Sequence, residues 1–219
     1  MQPFVRSLFA NAMILGLLVL ISLPAHAALI SIVPSQAQIN VGDTVFVDLV
    51  IDLDSDEILS AFDIELNFED SAFDFASVSF VDPTTSVNQL DLPEAGGFGF
   101  LGEAFNIGGG LLDVFGVSGN LDSILEADQA DTFVFVRLEF LAVAEIVSAA
   151  FAFVLDDPLQ AFLGANSADL NISFAPSITS VNVGSSVPVP EPSVIWLLLA
   201  GLPAAMLRSW RTRRATRSA

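Results

Sequence analysis

The sequence predicts an all-β protein, a two-sheet sandwich of about nine short strands with an address segment at each end. Three observations carry that prediction. Apolar and polar residues alternate with period two through most of the middle of the chain. Turn-forming residues punctuate the alternation at Gly42, Pro83, Pro93, Gly96-Gly97, Gly108 to Gly110, Gly119, Pro158 and Gly164. Stretches with helical period are scarce.

The first element, residues 1–27, is a leader. A positive charge at Arg6 precedes an apolar run from Leu8 to Ile21, followed by Pro24 and the small-x-small triplet Ala25-His26-Ala27. This is the three-part pattern of a Sec signal peptide, with signal peptidase expected to cut after Ala27. The alternative, an uncleaved membrane anchor, suffers from the shortness of the apolar run.

The sandwich is expected over residues 28–183. In "TVFVDLVIDLD", Val45, Val47, Leu49, Ile51 and Leu53 point one way. In "AFDIELNFED", Phe62, Ile64, Leu66 and Phe68 alternate with Asp63, Glu65 and Asn67, giving one dry face and one wet acidic face. The glycine-rich "GGFGFLGEAFNIGGGLLDVFGVSG" (96–119) reads as thin strands with bulges or tight bends; a flat adhesive face is the other reading. "NLDSILEADQA" (120–130) is either a short helix or an acidic loop. "DTFVFVRLEFLAV" is a long strand apolar on both faces, and "SAAFAFVLD", "DLNISF" and "SITSVNV" complete the series.

Residues 184–192 form a proline-rich linker in which Pro188, Pro190 and Pro192 hold the backbone extended. Residues 193–219 form a hydrophobic helix with an arginine-rich end. The uncharged run Val194–Leu207 is 14 residues. As a helix it covers about 21 Å of a hydrocarbon core of about 30 Å, so it suits a transient pause in the inner membrane. Arg208, Arg211, Arg213 and Arg214 then stop the tail on the cytoplasmic side.

Composition removes most chemistry from the middle. The 219-residue chain has a net charge of −19, but its seven basic residues are all arginines and only Arg137 falls between Ala28 and Val187. That stretch holds every acid except Glu191, 25 of 26, so one arginine leaves it at −24. Such a surface repels nucleic acid. Between Ala28 and Val187 there is no Cys, His, Lys, Tyr, Trp or Met. Ser-His-Asp, Cys-His and Ser-Lys machinery is therefore excluded there, as are thiolate or imidazole metal sites. Only a carboxylate glycosidase remains as an enzymatic alternative, without aromatic platforms of Trp or Tyr to stack a sugar.

Calcium is the one metal these residues favour, because it takes oxygen ligands. Asp52, Asp54, Asp56 and Glu57 form the sharpest cluster, spaced like the start of an EF-hand loop but with Glu57 where glycine is needed and Asp63 at the twelfth position. Glu126, Asp128 and Asp131 form a second cluster and Asp156-Asp157 a third. For each, the alternative is a solvated acidic loop.

Two resemblances follow from these residues. Pro190-Glu191-Pro192-Ser193, the apolar run and the basic end resemble the PEP-CTERM sorting signal of Gram-negative bacteria. That resemblance implies recognition by an exosortase, removal of the tail, and delivery to the cell surface or extracellular matrix, often beside exopolysaccharide production. The alternative is a plain single-pass anchor. In the middle, Gly42-Asp43, Phe68-Glu69-Asp70, Phe73-x-Phe75 and Val78, with Thr132 to Ala142 and Phe151 to Leu155, resemble a cohesin-like domain. This implies a jelly-roll β-sandwich that binds or scaffolds and is not an enzyme. Its partner by analogy is a dockerin-like protein, docked with or without calcium, or else an exopolysaccharide. No dockerin is visible on this chain, and Phe68-Glu69-Asp70 departs from the family's Tyr-Asp-Pro.

Overall fold

The computed structural model describes residues 27–93, 99–175 and 178–185. Of the sorting and cleavage residues only Ala27 falls among them; Ala25, Pro190, Glu191, Pro192, Ser193, Arg208, Arg211, Arg213 and Arg214 lie outside. Among the described residues no helix is long and apolar enough to cross a membrane.

Among the described residues twelve strands and one α-helix follow in order. They are β1 (Ala28–Pro34), β2 (Gln38–Asn40), β3 (Thr44–Asp52), β4 (Ala61–Phe68), β5 (Phe73–Ser79), β6 (Phe100–Gly108) and β7 (Leu111–Ser118). Then come α1 (Asp122–Asp128), β8 (Thr132–Ala142), β9 (Ile146–Phe153), β10 (Ala161–Leu163), β11 (Ile172–Phe174) and β12 (Ile178–Gly184). One sheet runs β11-β1-β3-β8-β5 and the other β2-β12-β9-β4-β7-β6, with β10 added beside β4. The pairings are antiparallel except β1 with β11 and β12 with β2.

The all-β sandwich expected from the alternation is the one found, with more strands than expected. The surplus comes partly from β2 and β10, three residues each, which are too short to display a period. The apolar residues of each long strand face inward: Val45, Val47, Leu49 and Ile51 on β3 meet Phe62, Ile64 and Leu66 on β4 in one buried cluster. The two-sided apolar character of β8 has a local cause. Its register against β3 shifts between Leu49 and Val50, so consecutive residues Phe135 and Val136 are both fully buried.

Phenylalanine fills the core. Phe140 lies 5.0 Å from Phe151 and 5.1 Å from Phe68, ring centre to ring centre, and Phe62 meets Phe135 edge-on at 4.9 Å. Every buried residue named in the main cluster lies between Ala28 and Val183, so this stretch carries a complete core of its own.

The glycine-rich stretch forms the β6–β7 hairpin. Gly108, Gly109 and Gly110 turn the chain with φ of 97°, 64° and 78°, a left-handed run that side chains disfavour. The segment 120–130 resolves as a helix, α1, held by Leu125 buried against Ile58 and Leu92.

Candidate functional site

The strongest surface feature is the outer face of β4, β7 and β6. Register fixes its members. Across β4 and β7, Ala61 faces Val117, Asp63 faces Phe115 and Glu65 faces Asp113. Across β6 and β7, Leu101 faces Val117, Glu103 faces Phe115 and Phe105 faces Asp113. Because the intervening residues Phe62, Ile64, Leu66, Leu112 and Val114 are buried, period two turns all of these side chains outward.

Apolar and acidic side chains interleave on this face. Leu101 is 67% exposed, Phe105 45% and Val117 46%, and the rings of Phe105 and Phe115 stack at 6.0 Å with only 14° between their planes. Beside them Asp63 and Asp113 share a hydrogen bond between carboxyl groups. Partial burial, then the Asp113 charge and that hydrogen bond, then Asp157 and Glu65, push the Asp63 carboxyl from 3.8 up to about 6. Glu65 is raised too, first by burial and then by Asp157, Asp113 and Asp156. The third sequence cluster, Asp156-Asp157, thus joins this face. The one cation among the described residues, Arg137, is committed elsewhere: its Nε and Nη2 donate to both oxygens of Asp48 at 2.7 Å, with Phe46 5.1 Å beneath. The pair sits on β3 and β8, in the opposite sheet.

The residues singled out for calcium separate differently. Asp52, at the end of β3, accepts from Thr132 Oγ1 at 2.5 Å. Asp54 and Glu57 close a turn on themselves, the Glu57 N–H donating to the Asp54 carbonyl at 2.9 Å and the Asp54 N–H to Glu57 Oε2 at 3.4 Å. Asp56 and Glu57 instead line a cleft of about 320 Å³ with Glu126, Gln129 and Asp131, so the first and second sequence clusters meet there. Gln129 builds that meeting. It accepts from the Leu59 N–H at 2.7 Å and donates to the carbonyls of Leu59 and Gln89 at 3.0 Å. Among the described residues no group of three or more His, Cys, Asp or Glu side chains is placed to hold a metal ion. Asp52, Asp54, Asp56 and Glu57 are thus divided between a strand end, a tight turn and this cleft.

Sequence reasoning saw the wet acidic side of β4 but not the cluster. Asp63 and Asp113 are fifty residues apart, and only the β4–β7 register brings them together. The signal that could have found the face was the outward Leu101 and Phe105 in a strand whose inward positions are already filled.

The fold is similar to that of cohesin domains. The type II cohesin domain from the cellulosome of Acetivibrio cellulolyticus matches with a TM-score of 0.56 at 12% identity, over 72% of this chain and 96% of that one. Type II cohesin A11 from Bacteroides cellulosolvens matches with a TM-score of 0.54 at 11% identity, over 71% and 99%. A type I cohesin–dockerin complex from Clostridium thermocellum contains a chain matching with a TM-score of 0.51 at 11% identity, over 73% and 100%. No protein-family model matches the sequence, and no curated protein matches it. At these identities the likeness establishes the fold, a cohesin-like jelly-roll sandwich.

Proposed function

We propose that this chain is a non-enzymatic docking or scaffolding protein of the bacterial surface or extracellular matrix, and that it binds a protein partner through the outer face of β4, β7 and β6. The observation that carries this reading is the set of exposed apolar side chains on that face, Leu101, Phe105 and Val117 around Phe115, interleaved with uncompensated Asp63, Glu65, Glu103 and Asp113. Exposed apolar groups rimmed by charge are the anatomy of a protein interface. The acids select a partner that presents lysine or arginine beside its own apolar residues. The solved cohesin–dockerin complex on the same fold supports a protein partner. The ends of the chain supply the route: Sec export on the leader, then exosortase processing at Pro190-Glu191-Pro192-Ser193, with exopolysaccharide as the matrix setting.

Asp63 and Asp113 do not suit the glycosidase alternative, since they lie within hydrogen-bonding reach, whereas glycoside hydrolysis separates its carboxyls by about 5–9.5 Å across a cleft. A binding experiment tests the docking reading. Residues 28–184 would be immobilised and exposed to envelope and culture-supernatant proteins of the host, in calcium and in chelator. A discrete protein retained by the native domain and lost with Val117→Lys or Asp113→Lys is the expected result. Retention that ignores both substitutions would overturn this choice of face.

A further inference from the structure

We infer that two copies of this domain pair edge to edge through β6, continuing the sheet across a two-fold axis at Ala104. A sheet edge is a row of unpaired N–H and C=O groups, and proteins ordinarily blunt such rows with short strands, bulges or charges. Three of the four edges here are blunted. β2 and β11 are three residues long. β5 carries a register shift between Phe75 and Ser77 and an outward Asp74. β6 runs nine residues, its shift against β7 comes only at its end between Asn106 and Gly108, and Glu103 is its one charged side chain.

Hydrogen bonding makes the open row explicit. The Gly119 N–H donates to the Gly99 carbonyl at 2.6 Å and the Ser118 N–H donates to the Ser60 carbonyl at 2.8 Å. Antiparallel pairing alternates from there, so the odd-numbered residues of β6 bond β7. The N–H and C=O groups of Phe100, Gly102, Ala104 and Asn106 face the open side. Pairing Ala104 with Ala104 of the second copy sets Gly102 against Asn106, so the open positions at the centre of one strand meet open positions of the other; the pairing stops short of Gly108, whose N–H already donates to Asn106 Oδ1.

Charge opposes a second copy least at this edge. The domain bears 25 acids against one arginine, so two copies repel over most of their surface. Along β6 the register places Glu103 opposite Phe105 of the second copy and Leu101 opposite its Ile107, which is 58% exposed. No acid lies directly opposite another, but the two Glu103 side chains are diagonal neighbours across the axis, a like-charge contact that salt must screen. The paired edges would join Leu101, Phe105 and Ile107 of both copies into one apolar strip.

Sedimentation equilibrium on residues 28–184, which carry their own core, tests this. The expected result is a reversible dimer that tightens as salt is raised, because added ions screen the repulsion between acidic bodies. Ala104→Pro removes an N–H that only a further strand would use, and Ile107→Glu puts an acid opposite Leu101 and diagonal to Glu103 of the second copy. Each should weaken association about tenfold or more. Val147→Lys on β9, where Val147 is 87% exposed, should leave it unchanged. A monomer at every salt concentration overturns the inference and leaves the edge to a strand from another protein. A dimer indifferent to both Ala104→Pro and Ile107→Glu also overturns it. The docking reading stands or falls separately, since its substitutions lie on β7 and leave this edge open.

Discussion

Gly116 shows how single positions decide the packing. It lies in the middle of β7 with ordinary strand neighbours, yet a Cβ there would sit 2.4 Å from Cε1 of Phe62 and 2.9 Å from Cζ of Phe100. The glycine gives its volume to two rings. Gly116→Val should therefore destabilise the domain by about 1–3 kcal/mol through overpacking, read as a lower urea midpoint at unchanged slope. Asp63 supports a prediction about acidity. Its folded-state carboxyl lies at about 6 against an ordinary 3.8, so between those values the folded protein holds a proton that the unfolded chain has lost. Stability should fall as pH rises through that window and recover as pH drops towards 4. Asp63 is partly exposed, so solvent screening holds the effect to on the order of 1 kcal/mol. Thermal melts across that range check it, and Asp113→Asn should flatten the profile.

At the scale of elements, what the sequence revealed follows from length and locality. β3, β4 and β9 each carry enough alternation to show their inward faces, and they sit where the pattern placed them, as does the long apolar β8. β2 and β10 do not, because three residues hold one inward position and no period. The bulge on β8 was legible only as an oddity, apolar residues on both faces, since the register shift is a relation between two strands. The same limit hid the candidate face: its acids and its apolar residues come from three strands whose alignment is tertiary. Helix α1 was legible as an alternative to a loop, but what fastens it was not. Its seven residues are too few to be stable alone, and Leu125 with the three bonds of Gln129 holds it down. Gln129→Ala would leave the Leu59 backbone groups unsatisfied, costing about 1–3 kcal/mol. Amide exchange should quicken first in α1 and at Leu59, ahead of the β3–β8 centre.

For the molecule as a whole, charge is the governing quantity. A domain at −24 with a single internal ion pair stores repulsion that compaction makes worse. Raising sodium chloride should raise the melting temperature steadily, since the screening length shrinks from about 10 Å at 0.1 M to about 3 Å at 1 M. Calcium should add to this only as a more efficient counter-ion, because the described residues gather no metal-holding group. A saturable melting increment at micromolar calcium, absent with magnesium, would contradict that expectation.

The last strand also settles how the domain meets a mechanical load. β12 leaves the fold at Gly184 flanked on both sides, parallel to β2 over Asn182–Gly184 and antiparallel to β9 from Ile178 onward. A tug on Gly184 that runs along β12 loads the flanking bonds in shear, so they slide together and fail nearly at once. A strand peeled from one end would instead give way bond by bond. A protein hauled by its tail while its face is held would thus resist as a clamp, and force spectroscopy pulling from residue 184 should record one high rupture peak where peeling would give a low plateau.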